Sequence, residues 1–110
     1  MGKWATYRKR GSGSQSSAAL SAPPAPAISI VDGDIVITST SAPEASGILE
    51  LWADTGAGGT WIVARIFPWG TGSATDSSGD FSGFSVKAAQ LGGDDVYSGR
   101  SAFSATLGPL

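Results

Sequence analysis

The sequence predicts an all-β fold, a sandwich of about seven short strands, and three observations carry that prediction. Apolar and polar residues alternate with a period of two. In residues 84–91 (FSVKAAQL), Phe84, Val86 and Ala88 fall on one side and Ser85 and Lys87 on the other, as in a strand with one buried face. Turn-forming residues separate such segments at near-regular intervals, which is the pattern of a sandwich. No window carries a 3.6-residue apolar stripe, and 16 glycines interrupt any helix that could be drawn.

The elements follow in order. Residues 27–31 (AISIV) and 34–40 (DIVITST) flank Asp32-Gly33, a dipeptide that tolerates positive φ at both positions and so favours a two-residue hairpin turn. Residues 48–53 (ILELWA) and 60–67 (TWIVARIF) flank a Gly-rich loop and form a second hairpin. A weak strand is expected near residues 73–76. Residues 84–91 and 102–107 (AFSATL) form the closing pair. A body of about 85 residues buries only around 60% of its unfolded surface, so it folds with little margin.

Residues 24–31 lead into the first strand through prolines, GILELWAD is followed by GGTWIVARI, and FSGFSVKAAQLGGDDVYSGRSAFSATL closes the chain. In these stretches the body resembles an immunoglobulin or fibronectin type III-like domain over residues 24–110, and the resemblance implies that family's sandwich. Two positions depart from the family pattern. Residues 35–40 (IVITST) carry no tryptophan where the family buries one. Phe84 stands near the start of the penultimate strand, where the resemblance implies a tyrosine.

The charge is divided along the chain. Residues 1–10 form a basic arm holding Lys3, Arg8, Lys9 and Arg10, interleaved with Trp4 and Tyr7, and the remaining residues hold three cations against nine acids. Residues 11–26 (GSGSQSSAALSAPPAP) read as a linker with a flexible Gly/Ser half and a stiffer Pro-rich half. Residues 27–110 are the sandwich domain. The arm is too polar and too charged to form a core, and it gains order only against another molecule. Trp, Tyr and Arg are residues that dominate interface energies, so Lys3, Trp4, Tyr7, Arg8, Lys9 and Arg10 are the candidate partner-binding set. The arm would dock on a protein assembly, track nucleic acid by stacking Trp4 and Tyr7 on bases, or stay solvated. Met1-Gly2 with Thr6 also fits the short N-myristoylation pattern, which matters only in a eukaryotic host.

Catalytic chemistry finds no anchor. The chain has no cysteine and no histidine, which removes disulfides, thiolate metal sites and the usual general base together. The serines lack a base, the carboxylates sit in expected turns, and the Gly-rich stretches join strands instead of opening a helix as a phosphate-binding loop must. No catalytic residue, cofactor or metal is therefore expected. Asp76-Ser77-Ser78-Gly79-Asp80 alternates oxygen ligands, but an EF-hand loop begun at Asp76 would need Gly at Phe81 and Glu at Lys87. Asp94-Asp95 reads as solvated turn chemistry. Trp52 and Trp69 are candidate surface contacts. Leu49 and Leu51 share one face of their strand, which leaves Glu50 and Trp52 on the other, and Trp69 follows Pro68 at a strand end. The simpler role for both is covering the edge of a small core.

No run approaches the roughly 20 apolar residues of a membrane span, and the basic start lacks the apolar stretch of a secretory signal. The expectation is a non-enzymatic binding or structural module with no membrane partner, made in a host cytoplasm. Its architecture resembles that of small bacteriophage virion accessory proteins, which implies decoration of a capsid, neck or tail. Partners would then be capsid or other virion structural proteins, with self-association open. The alternatives are an adhesion or carbohydrate-binding module using Trp52 and Trp69, and a virion protein contacting nucleic acid through the arm.

Overall fold

The computed structural model describes residues 20–41, 44–56 and 59–110. The six arm residues proposed to bind a partner lie outside them. Among the described residues, seven strands form two antiparallel sheets. Strands β1 (Ala27–Val31), β2 (Asp34–Thr38) and β5 (Ser73–Ser77) make a three-stranded sheet in the order β1-β2-β5. Strands β3 (Ile48–Asp54), β4 (Trp61–Pro68), β6 (Val86–Gly93) and β7 (Ser98–Arg100) make a four-stranded sheet in the order β4-β3-β6-β7. The fold is an all-β sandwich compatible with the immunoglobulin and fibronectin type III class.

The β1–β2 turn forms as its chemistry dictates, with Asp32 at φ 50° and Gly33 at φ 82°. That turn sets the register, which pairs Ile28 with Ile37 and Ile30 with Ile35. From the facing sheet, Leu49, Leu51 and Ala53 of β3 and Val86 and Ala88 of β6 close over Ile35, Ile37 and Ala74. All eight side chains are buried.

Trp69 is the largest fully buried side chain, with none of its surface exposed. This overturns its reading as a surface contact. Pro68 ends the ladder and a single 3-10 turn, Trp69–Thr71, swings the indole inward. There it stacks on Tyr97 at 5.9 Å and donates its Nε1–H to Ser39 Oγ at 2.7 Å. The tryptophan missing from the second strand is thus supplied by the crossover between the sheets. Gly47 makes room for it: a Cβ at that position would stand 2.5 Å from Trp69 Cε3.

Two further boundaries differ from expectation. Pro23 and Pro26, in the expected linker, are buried. Gln90 Nε2 donates to the Pro24 carbonyl at 2.7 Å, Thr40 Oγ1 to the Ala25 carbonyl at 2.6 Å, and the Ser98 amide to the Ser21 carbonyl at 3.0 Å. Proline cannot donate to a ladder, so this segment is fastened by side chains and buried rings instead. The last strand is Ser98–Arg100, earlier than residues 102–107. Beyond it the chain still follows β6, but three of its residues span two of β6. The amides of Ser101, Ser104 and Leu107 donate to the carbonyls of Gln90, Ala88 and Val86. The hydroxyls of Ser101 and Ser104 accept from the amides of Gln90 and Ala88, at 2.8 and 2.9 Å. The S-x-x-S-x-x-L spacing of residues 101–107 therefore keeps β6 bonded without a regular ladder.

Candidate functional site

The outward face of the four-stranded sheet carries the densest set of interaction-competent side chains. Antiparallel register places Trp52 opposite Val63 on one side and Lys87 on the other, and Glu50 opposite Ile66 and Ala89. As alternation requires, Leu49, Leu51 and Ala53 take the inner face and leave Glu50 and Trp52 outward. The expectation for Trp52 agrees with its half-buried state.

Glu50 is outward-facing yet buried, because neighbouring side chains roof it over. Arg100 donates from Nε and NH2 to the two carboxylate oxygens at 2.6 and 2.9 Å, and Trp52 Nε1 donates to Oε1 at 3.1 Å. Burial pushes the Glu50 carboxyl up. The hydrogen bonds from Arg100 and Trp52 and the arginine's charge outweigh that and hold it below the ordinary carboxylate range. The Arg100 guanidinium is raised in turn by its bond to Glu50. It also lies 5.3 Å from the Trp52 ring centre.

Lys87 stands beside this pair with no acid partner among the described residues. Its Nζ sits 4.2 Å from the Trp61 ring centre and 3.9 Å from that of Phe103, where ring quadrupoles attract a cation. Phe103 meets Trp52 edge-on, at 5.2 Å and 80°. Val63 and Ile66 extend the patch, 40% and 62% exposed. The sheet thus presents aromatic rings, an ammonium, a guanidinium and bare aliphatic groups on one surface.

Among the described residues strand β4 is an edge, and its open side is blunted. A register shift between Leu51 and Trp52 leaves Ala64 as an extra residue, and Arg65 NH1 donates to the Ala64 carbonyl at 3.0 Å. Bulges and charged groups on an edge discourage another strand from pairing. The open edge is thus a poor site for strand addition. Arg65 also ties the sheets together, reaching Asp76 of β5 at 3.1 Å.

The acidic side chains of the two turns have separate partners, Asp76 bonding Arg65 at 3.1 Å and Asp95 accepting from the Ser46 hydroxyl at 2.7 Å. Among the described residues no group of three His, Cys, Asp or Glu side chains is arranged to hold a metal ion.

Comparison with protein-family models and with curated proteins finds no match.

Sequence reading missed Glu50, Trp61, Lys87, Arg100 and Phe103 as one group. Alternation put Glu50 beside Trp52, but the partners join through register across positions up to fifty residues apart.

Proposed function

We propose that this chain is a non-enzymatic protein-binding module, a virion accessory protein that decorates a capsid, neck or tail and is held there by its N-terminal arm. The observation that supports protein binding is the filled aromatic surface. Lys87 covers Trp61 and Phe103, and Phe103 abuts Trp52 edge-on. A sugar ring needs an open aromatic face, and here Lys87 lies over the rings of both Trp61 and Phe103. Aromatic and Arg side chains beside exposed aliphatic groups instead match the composition of protein interfaces.

The fastening of residues 21–25 supports the division of labour. Their bonds reach Ser98, Gln90 and Thr40, so the segment that follows the arm and linker is fixed at the end of the sandwich near the β6–β7 turn. An anchored arm would hold that end toward its support and leave the sheet face and the opposite end accessible.

Deleting residues 1–10 tests the anchor. Co-sedimentation with virus particles from the same source should be lost, while the truncated chain keeps its β-type circular dichroism. Retained co-sedimentation would remove the arm from the proposal. A nucleic-acid role would show instead as binding to duplex DNA that weakens with salt at a log–log slope of about −3.6 for four phosphate contacts.

A further inference from the structure

We infer that the end of the sandwich opposite residues 21–25 carries a receptor cleft for a basic peptide segment bearing one aromatic or branched aliphatic side chain. This goes beyond the anchoring role and involves none of its residues.

The two ends are set by register. Ile48 pairs with Leu91 at one end of the β3–β6 ladder and Ala53 with Val86 at the other. Residues 21–25 are fastened at the first end. At the second, the sheets part on the β4 side and leave a cleft of about 280 Å³. Its apolar wall is Ala53, Ile62, Ala64, Phe81 and Phe84. Phe81 is buried and belongs to the core, but Ile62 and Phe84 are 51% and 37% exposed. Small-molecule sites usually span about 300–1,000 Å³, so this volume suits one large side chain better than a cofactor or an oligosaccharide.

The charge at the mouth selects the sign of the ligand. Asp54, Arg65 and Asp80 form the polar rim. The charge of Arg65 is already met by Asp76 at 3.1 Å, across the sheets. Asp80 lies 3.9 Å from Arg65 with 55% of its side chain exposed, so it keeps capacity for a further cation. Asp32 and Asp34 flank the adjoining turn, which the Ser78 amide joins to the strand-following 3-10 turn through the Gly33 carbonyl at 3.1 Å. Asp76 and Asp80 thus flank Arg65, while Asp54 on the rim and Asp32 and Asp34 at the adjoining turn add acid at the same end, with no further arginine or lysine among the described residues of the rim. Lys87 is on the outer face, engaged by Trp61 and Phe103. An apolar cleft under a net acidic mouth favours Lys or Arg next to the inserted side chain, and a carboxylate there is repelled.

The test is a nuclear magnetic resonance titration of the full 15N-labelled chain with three synthetic peptides: acetyl-Lys-Trp-Lys-amide, acetyl-Glu-Trp-Glu-amide and acetyl-Lys-Ala-Lys-amide. The first should shift the amide signals of Ala53, Thr55, Ile62 and Phe84 saturably. The other two should bind at least about tenfold more weakly. Asp80→Asn, an exposed change that leaves the core intact, should weaken the first peptide about threefold or more. Equal affinity for all three peptides, an unaffected Asp80→Asn variant, shifts centred on Trp52 and Phe103, or no saturable shift at millimolar peptide would each overturn the inference.

Discussion

Glu50 and Arg100, fifty residues apart in the chain, meet in two parallel hydrogen bonds of 2.6 and 2.9 Å across the outer face of the four-stranded sheet. Arg100 ends β7, a strand of only three residues at the sheet edge. The ion pair therefore clamps the weakest element of the sheet to its centre.

Removing both partners should cost less than the sum of the two single losses. Glu50→Gln and Arg100→Met are each expected to lower stability by about 1–3 kcal/mol, since a polar group is left without its charged partner. The double variant should fall short of the summed losses by about 0.5 kcal/mol or more. Urea unfolding of the four proteins measures this. Strict additivity would show that the two groups are not energetically coupled.

Acid should loosen the loop between β6 and β7. Glu44 is buried, and its carboxylate accepts from the amides of Gly93 at 2.5 Å, Tyr97 at 3.1 Å and Val96 at 3.4 Å. Burial raises its pKa, but those backbone bonds, with that of Asp95, bring it net below the ordinary carboxylate range. A carboxylate with a lowered folded-state pKa stabilises fully above its unfolded value, and that contribution is lost as pH falls through the folded value. Glu50 has the same sign. Urea midpoints should thus be insensitive to these two groups at neutral pH and decline on acidification below about 4.5. Glu44→Gln should show a shallower decline than the native chain, with Tyr97 losing fixed near-ultraviolet dichroism first.

Trp69 should be the costliest aromatic to lose. Trp69→Ala empties a fully buried site and is expected to cost about 3–5 kcal/mol, a large part of the stability of about 5–15 kcal/mol usual for a domain. Trp52→Ala, on the half-buried outer face, should cost clearly less. Gly47→Ala should also destabilise, because its Cβ would meet the Trp69 ring and the Leu91 carbonyl. Thermal unfolding followed by circular dichroism ranks the three. Equal melting points for Trp69→Ala and Trp52→Ala would contradict the burial argument.

Lys87 decides between protein and sugar recognition on the sheet face. Electrophoresis through gels containing soluble polysaccharides should show no retardation of the native chain. Lys87→Ala, which bares Trp61 and Phe103, should be retarded if an open aromatic face is what sugar binding requires. Retardation of the native chain that disappears in Trp52→Ala would establish the carbohydrate reading instead.

Much of the fold was legible locally. The alternation of residues 48–53 assigned Leu49 and Leu51 to the core and Trp52 to the outer face, and Asp32-Gly33 specified its turn. The final strand was misplaced because residues 101–107 follow β6 with a three-residue spacing, and period-two reading has no template for that. Trp69 was misassigned because a residue after a strand-ending proline looks exposed in one dimension. Its burial depends on a 3-10 turn, on Gly47 twenty-two positions earlier, and on Tyr97 twenty-eight positions later.

The sequence by itself determined the class, the turn chemistry, the inner face of strands β3 and β6, and the separation of a basic aromatic arm from an acidic body. Each of these rests on properties that a few neighbouring residues share: side-chain alternation, φ preference and charge. Tertiary structure alone decided that Glu50 pairs with Arg100, that Lys87 fills the space between Trp61 and Phe103, and that a cleft opens beside Asp80. Those relationships depend on strand register and sheet-on-sheet packing, which arise from burial summed over the whole domain and leave no trace in any short stretch of the chain.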